Sequence, residues 1–236
     1  MSVRKLHRGR EAGVAITLLL LATSICLGAV PAPQSVDANL TESIRWYVGA
    51  TGQVDDARAK ALLEQAALDR DPLSMMWMAR VYSTGRMGFK SDTRRAREIA
   101  ATVIADVEAL AAQGNVEAGF LMGTAFAEGL GKSRDDAEAI TWYLRAAEAG
   151  HILAQHNLGN AYDSGTGVQR NAVQAVSWWR RAAEQGDAIP EFQLGRAYEK
   201  GAGVERDLTA ALAWYRRSAQ RGYGRAREAA RQLETR

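Results

Sequence analysis

The 236 residues carry 47 % hydrophobic and 24 % charged side chains, the balance of an ordinary globular chain, which argues against wholesale disorder and against a polytopic membrane protein. Lys and Arg number 30 against 27 Asp and Glu, for a formal charge of +3. One cysteine and three histidines leave no intramolecular disulfide and no Cys/His metal cluster to assemble.

Residues 1–38 stand apart from the rest. Arg4, Lys5, Arg8 and Arg10 lead into an apolar run from Ala12 to Val30, and Pro31 and Pro33 then break it. Val36-Asp37-Ala38 follows, with small residues where a signal peptidase reads them. The expectation is a signal peptide cut after Ala38. An uncleaved N-terminal anchor is the alternative, because the run approaches the roughly 20 residues that span a bilayer. Lipidation at Cys26 is disfavoured by the bulky Ile25 before it. Each reading exports residues 39–236, making the domain periplasmic or secreted, or inner-membrane anchored with the repeats outside the cytoplasm. The leader carries four of the 30 basic and two of the 27 acidic residues, leaving 26 and 25. A chain so nearly neutral is not built for nucleic acid, which needs a clustered positive excess. The arginines between Arg216 and Arg236 read as a solvated last helix face. Membrane contact is expected only if the apolar segment is retained.

Beyond the leader the chain repeats. Trp142, Trp178 and Trp214 are 36 residues apart, as are Tyr143, Trp179 and Tyr215, and Gly123, Gly159 and Gly195. Phe126, Tyr162 and Tyr198 keep the same period, as do Gly129, Gly165 and Gly201. A fixed period of this size signals stacked supersecondary units. In chain order they are a degenerate unit over about 39–70, a long unit over about 73–113, close repeats over about 116–150, 152–186 and 188–222, and a capping helix over about 223–235. Within a unit, Leu158, Gly159 and Tyr162 mark helix A, and Gly165 ends it because a left-handed residue is favoured there. Asn171, like Asp135 and Asp207, caps helix B, and Asp135 with Glu138 and Asn171 with Gln174 have capping-box spacing. Ala175, Trp178, Trp179, Ala182 and Ala183 make the apolar stripe of helix B. Gly159 and Gly195 inside helix A cost about 1 kcal/mol each relative to Ala, so the register implies close helix crossing.

The stretch Ala154-Gln155-His156-Asn157-Leu158-Gly159, then Tyr162, Gly165, Gly167, Asn171, Ala175, Trp178-Trp179 and Ala182-Ala183-Glu184-Gln185-Gly186, resembles the Sel-1-like repeat, a relative of the tetratricopeptide repeat. The resemblance implies an all-α fold, a right-handed superhelical solenoid of antiparallel helix pairs, in proteins that act mostly as adaptors, assembly factors or regulators. It departs at His156, where Phe120 and Phe192 carry the aromatic, and at Arg231, where glycine belongs. The disulfide cysteines of a secreted branch of the family are missing.

Chemistry is sparse. Gly129-Leu130-Gly131-Lys132-Ser133 resembles the end of a phosphate-binding loop, but the first glycine of that motif would be Phe126, and the Gly-x-Gly turn recurs at 165 and 201 without Lys-Ser. His151 and His156 read as surface or groove residues without a nucleophile partner. No catalytic residue, metal or cofactor is expected. The expected function is a non-catalytic scaffold, adaptor or regulator that binds a protein or peptide. The alternatives are an envelope hydrolase acting on cell-wall material or a β-lactam, and a membrane-anchored assembly factor. If helix A lines the inner curve, residues 36 apart form ladders across the groove. The free flank then carries Trp77 and Arg80, Leu121 and Thr124, Asn157 and Asn160, and Gln193 and Arg196, with Trp77 and the arginines as favoured anchors.

Overall fold

A computed structural model describes residues 36–235. The leader through residue 35 lies outside the described residues, and Asp37 of the expected cleavage site caps the first helix. The described residues form helices alone: α1 Ala38–Val48, α2 Asp56–Ala66, α3 Pro72–Thr84, α4 Thr93–Ala112, α5 Val116–Glu128, α6 Asp136–Glu148, α7 Ile152–Ser164, α8 Ala172–Glu184, α9 Ala188–Lys200, α10 Leu208–Gln220 and α11 Gly224–Glu234. Each odd-numbered A helix packs on the even-numbered B helix that follows it and on the B helix before it, which is the helix-pair solenoid the period implies. Among the described residues no helix is long and apolar enough to cross a membrane.

The turns show why the pattern recurs. Gly165, at φ +80, closes α7 with its N–H on the Ala161 carbonyl, a conformation that costs little only without a Cβ. Asn171 then accepts from the N–H groups of Val173 and Gln174. The second half of a capping box is replaced. The Asn171 N–H donates to the Tyr162 carbonyl at 2.8 Å, as Asp135 N–H does to Phe126 and Asp207 N–H to Tyr198. The aromatic register of helix A therefore ties down the start of helix B.

Glycine inside helix A serves the close crossing expected of it. A Cβ built on Gly159 would stand 2.8 Å from Trp179 Cγ and closer still to Cδ1 and Nε1, and Gly123 and Gly195 meet the rings of Tyr143 and Tyr215 in the same way. In the long unit Ala79 stands at the glycine position and Ala100 of α4 at the position of the crossing ring, both fully buried. Trp142 and Trp178 join one core cluster and Trp214 packs against the next, each with an arginine three residues on over its ring: Arg145 at 5.1 Å, Arg181 at 4.5 Å and Arg217 at 5.2 Å. At the C-terminal end Ala226 and Ala230 of α11 face inward.

The ends of the solenoid touch. Val54 N–H in the α1–α2 turn donates to the Arg221 carbonyl at 2.7 Å, and Arg221 Nη1 donates to the Gly49 carbonyl at 2.9 Å. Arg221 Nε and Arg217 Nε both reach Glu191 Oε1, at 3.0 and 2.6 Å. Gly186 lies against the Cα of Ala50. The first unit is thus seated on the turns that open α9 and α11.

Candidate functional site

The groove is built from the A helices and from the polar tips of the rings that cross them. The aromatic lying on each glycine reaches a side chain of an A helix with its polar atom. Tyr143 hydroxyl donates to Thr124 Oγ1 at 3.3 Å and also meets Asn157. Trp179 Nε1–H donates to Asn160 Oδ1 at 3.1 Å, and Tyr215 hydroxyl donates to Glu199 at 2.8 Å. Burial pushes the Tyr143 hydroxyl above its usual pKa.

The expected ladder is split. Asn157 and Asn160 line one cleft of about 270 Å³ walled by α5, α6 and α7, with Arg86, Glu128, Tyr143, Ser164 and Thr166 around them. Gln193 and Arg196 line the next, of about 170 Å³, with Asp163, Arg170, Trp179 and Lys200. The other half of the ladder is not a free flank. Trp77, Leu121 and Thr124 are 0 % exposed and Arg80 is 4 % exposed, so these four are core. The cause is bulk: Trp77 and Phe120 fill the seam between α3 and α5 with ring centroids 5.8 Å apart, and the Arg80 guanidinium lies over both rings, at 4.5 and 5.3 Å. Burial, and then neighbouring Arg86, hold Arg80 below the usual arginine value. Its Nε and Nη1 have no hydrogen-bond partner; the stacked rings face the cation instead. Asn160 is half-buried as the indole's acceptor, so it does not simply point outward.

Charge differs between the two clefts. In the first, Arg86 pairs with Glu128 at 2.8 Å, Glu128 also accepts from Ser83, and Asp136 pairs with Arg134. Arginine and acid cancel there. The second cleft holds three cations and one acid.

His151 and His156 are neither surface residues nor free of partners. His151 Nδ1 accepts the Ala154 N–H, which assigns the ring proton to Nε2, and Nε2 donates to Glu117 at 2.9 Å. Glu117 accepts from Trp77 Nε1 at 2.6 Å on its other oxygen. Burial by itself raises the Glu117 carboxyl, but His151, Trp77 and Arg80 together hold it below the usual carboxylate value. His156 Nδ1 lies 2.8 Å from Asp187, which also caps α9. These contacts belong to one seam, in which the caps of α7, α9 and α11 each pack on the residue 31 positions earlier: His151 stacks on Phe120 at 4.3 Å, Asp187 meets His156, and Tyr223 packs on Phe192 at 5.3 Å. His156, which departs from the aromatic pattern, is matched by an acid at the cap that touches it. That compensation at a spacing of 31 was a readable signal. The loop from Gly129 to Ser133 is a repeat turn: Gly129 caps α5, Gly131 abuts Ile104, and Lys132 pairs with Glu108 at 2.8 Å. Among the described residues no group of three His, Cys, Asp or Glu could hold a metal ion.

Comparison with known proteins agrees with this architecture. The family model described as Sel1 repeat matches residues 47–71, 72–99, 116–151, 152–187 and 191–223. A similar solved structure is c5321, a protective antigen of uropathogenic Escherichia coli strains displaying an SLR fold, at 29 % identity and TM-score 0.53, covering 83 % of this chain and 40 % of that one. Another is a Sel1 repeat protein from Oxalobacter formigenes, at 32 % identity and TM-score 0.52, covering 76 % of this chain and 50 % of that one. The chain thus spans about half or less of the length of these relatives. No curated protein matches it.

Proposed function

The chain belongs to the Sel1 repeat family, whose members generally bind protein partners and are typically non-catalytic, and from that premise we propose that it is an exported scaffold that holds an extended segment of a partner protein in the groove of its A helices. The observation that carries this reading is the pair of consecutive clefts that share a wall: Asn160 lines the first, Trp179 lines the second, and the two are hydrogen-bonded to each other. Asn157, Asn160 and Gln193 offer amides, each a donor and an acceptor together, which suits the N–H and C=O groups of an extended backbone. The core beneath is fixed by the glycine–aromatic crossings, so recognition is preorganised and needs no turnover. The basic-then-apolar leader supports the export part of this reading, under which the partner is one of the envelope or the exterior.

The test is binding of a partner captured from intact envelopes with residues 39–236 as bait. Asn157→Ala combined with Gln193→Ala should weaken that binding about tenfold with little change in thermal unfolding. Arg180→Ala with Arg181→Ala, on α8 away from the groove, should leave it unchanged. Loss with the α8 pair and retention with the groove pair would move the binding surface to the convex side.

A further inference from the structure

The second cleft contains charge that the fold does not neutralise. We propose that it is a subsite for an acidic side chain carried by the partner segment, a reading that rests on the groove function above and adds the chemistry of what is bound.

Three cations line the cleft. Arg170 Nε donates to the Asp163 backbone carbonyl at 2.8 Å, and Arg196 Nη1 donates to Gln193 Oε1 at 2.9 Å. Both acceptors are neutral. They fix the direction of each guanidinium while leaving its charge uncompensated and part of its donor fork unused. Lys200 stands on the last turn of α9 and lines the same cleft. Among the described residues none of Arg170, Arg196 and Lys200 takes part in an ion pair. The lining has three cations against one acid, Asp163, an excess of two positive charges.

The contrast with the adjoining cleft limits what fits. There Arg86 already has Glu128 as counter-ion, so the groove passes from a neutral stretch to a positive one within a single repeat. A nucleic acid presents a phosphate at every step and would find no counter-charge in the first cleft. A peptide with uncharged residues over Asn157 and Asn160 and a carboxylate over Arg170 and Arg196 matches both. Guanidinium forks pair with a carboxylate through two parallel bonds. Arg196 is half-buried beside the Trp179 ring, where a charge-assisted bond is less screened than on open surface.

The probe is a short fluorescein-labelled peptide with two adjacent glutamates in a background of Asn, Ser and Gly, compared with the same peptide carrying glutamines. Anisotropy titration of residues 39–236 should give a Kd about tenfold lower for the glutamate peptide, and the difference should shrink as salt rises. Arg170→Gln combined with Arg196→Gln should abolish the difference without moving the thermal midpoint. Equal binding of the two peptides to the wild type would overturn the acidic subsite and leave the groove reading standing. Persistence of the difference in the double variant would also overturn it. Absence of glutamate-peptide binding overturns it too, while the groove reading is judged separately by the uncharged Asn157→Ala and Gln193→Ala pair. Displacement of the peptide by inorganic phosphate at the peptide's own Kd would make this a free-anion site and defeat the assignment to a protein segment.

Discussion

Replacing Gly159 by alanine sets two known effects against each other. The alanine gains about 1 kcal/mol of helix propensity. It also places a Cβ 2.8 Å from Trp179 Cγ, with two further ring atoms closer. Overpacking of that kind costs about 1–3 kcal/mol. The ring has little room to retreat, because it is 4 % exposed and its Nε1–H is bonded to Asn160. The cost therefore falls at the upper end, for a net loss of about 1–2 kcal/mol and a midpoint lowered by about 4 °C in a domain of this size. In a Trp179→Ala background the obstacle is gone, and the same substitution should stabilise by up to about 1 kcal/mol. Gly119→Ala is the control, since nothing lies within 4 Å of a Cβ there; it should stabilise in either background. Urea unfolding followed by far-ultraviolet circular dichroism reads all of these variants. If Gly159→Ala costs the same with and without the indole, or behaves like Gly119→Ala, the crossing does not explain the glycine.

Further expectations follow from the buried acid, the end contact and the leader. Glu117→Gln should cost about 2 kcal/mol at neutral pH through loss of charge-assisted bonds to His151 and Trp77. Because the folded pKa of Glu117 is lowered, its contribution is full above the ordinary value of 4.5 and is lost as pH falls through the folded value. The gap between wild type and variant should therefore close on acidification, and a gap independent of pH in urea melts would refute this. Arg221→Ala removes the bond to the Gly49 carbonyl, so the Val54 amide should lose protection in hydrogen exchange; unchanged protection would show that this arginine does not hold the ends together. Cleavage after Ala38 would leave a chain starting at Asn39, measurable as intact mass, and would remove the Asp37 cap of α1, a loss of about 1 kcal/mol. A full-length species in the membrane pellet would favour the retained anchor.

Much of this architecture was readable because a repeat states the same contact several times. Gly123, Gly159 and Gly195 each carry a propensity cost that only a shared crossing explains, and the rings that cause it recur in step. Of the expected ladder, Asn157, Asn160, Gln193 and Arg196 line clefts. Counting three residues around helix A rests on the assumption that every A helix sits at the same rotation. It fails at α3 and α5, where Trp77, Phe120 and Arg80 occupy the seam and Leu121 and Thr124 become interior. Asn160 escaped for a related reason: the indole that fills the glycine notch is long enough to reach it. The Glu117 partner of His151 was hidden because it lies 34 residues away on a neighbouring unit, whereas the Asp187 partner of His156 left a trace in the replacement of an aromatic by His156 and of an ordinary cap by an acid 31 residues on. The uncompensated cations of the second cleft could not be found by counting charge along the chain, since their neutral acceptors and their lack of ion pairs are properties of three-dimensional neighbours.

The meeting of Gly49 and Val54 with Arg221 changes how the array responds to error. In an open array each unit answers only to its neighbours, so stability is nearly a sum of local terms and units can be added or removed at small cost. A contact joining residues 172 apart makes the sum of all intervening rotations a quantity the fold must satisfy. A slight change of angle at each crossing, harmless by itself, is multiplied along the chain and appears as a mismatch where the ends meet. Deleting a single 36-residue unit would carry that mismatch to a whole step, leaving the turn at residues 49–54 without its seat. The contact also raises the sequence separation of native contacts, which slows folding relative to an open array with the same local packing.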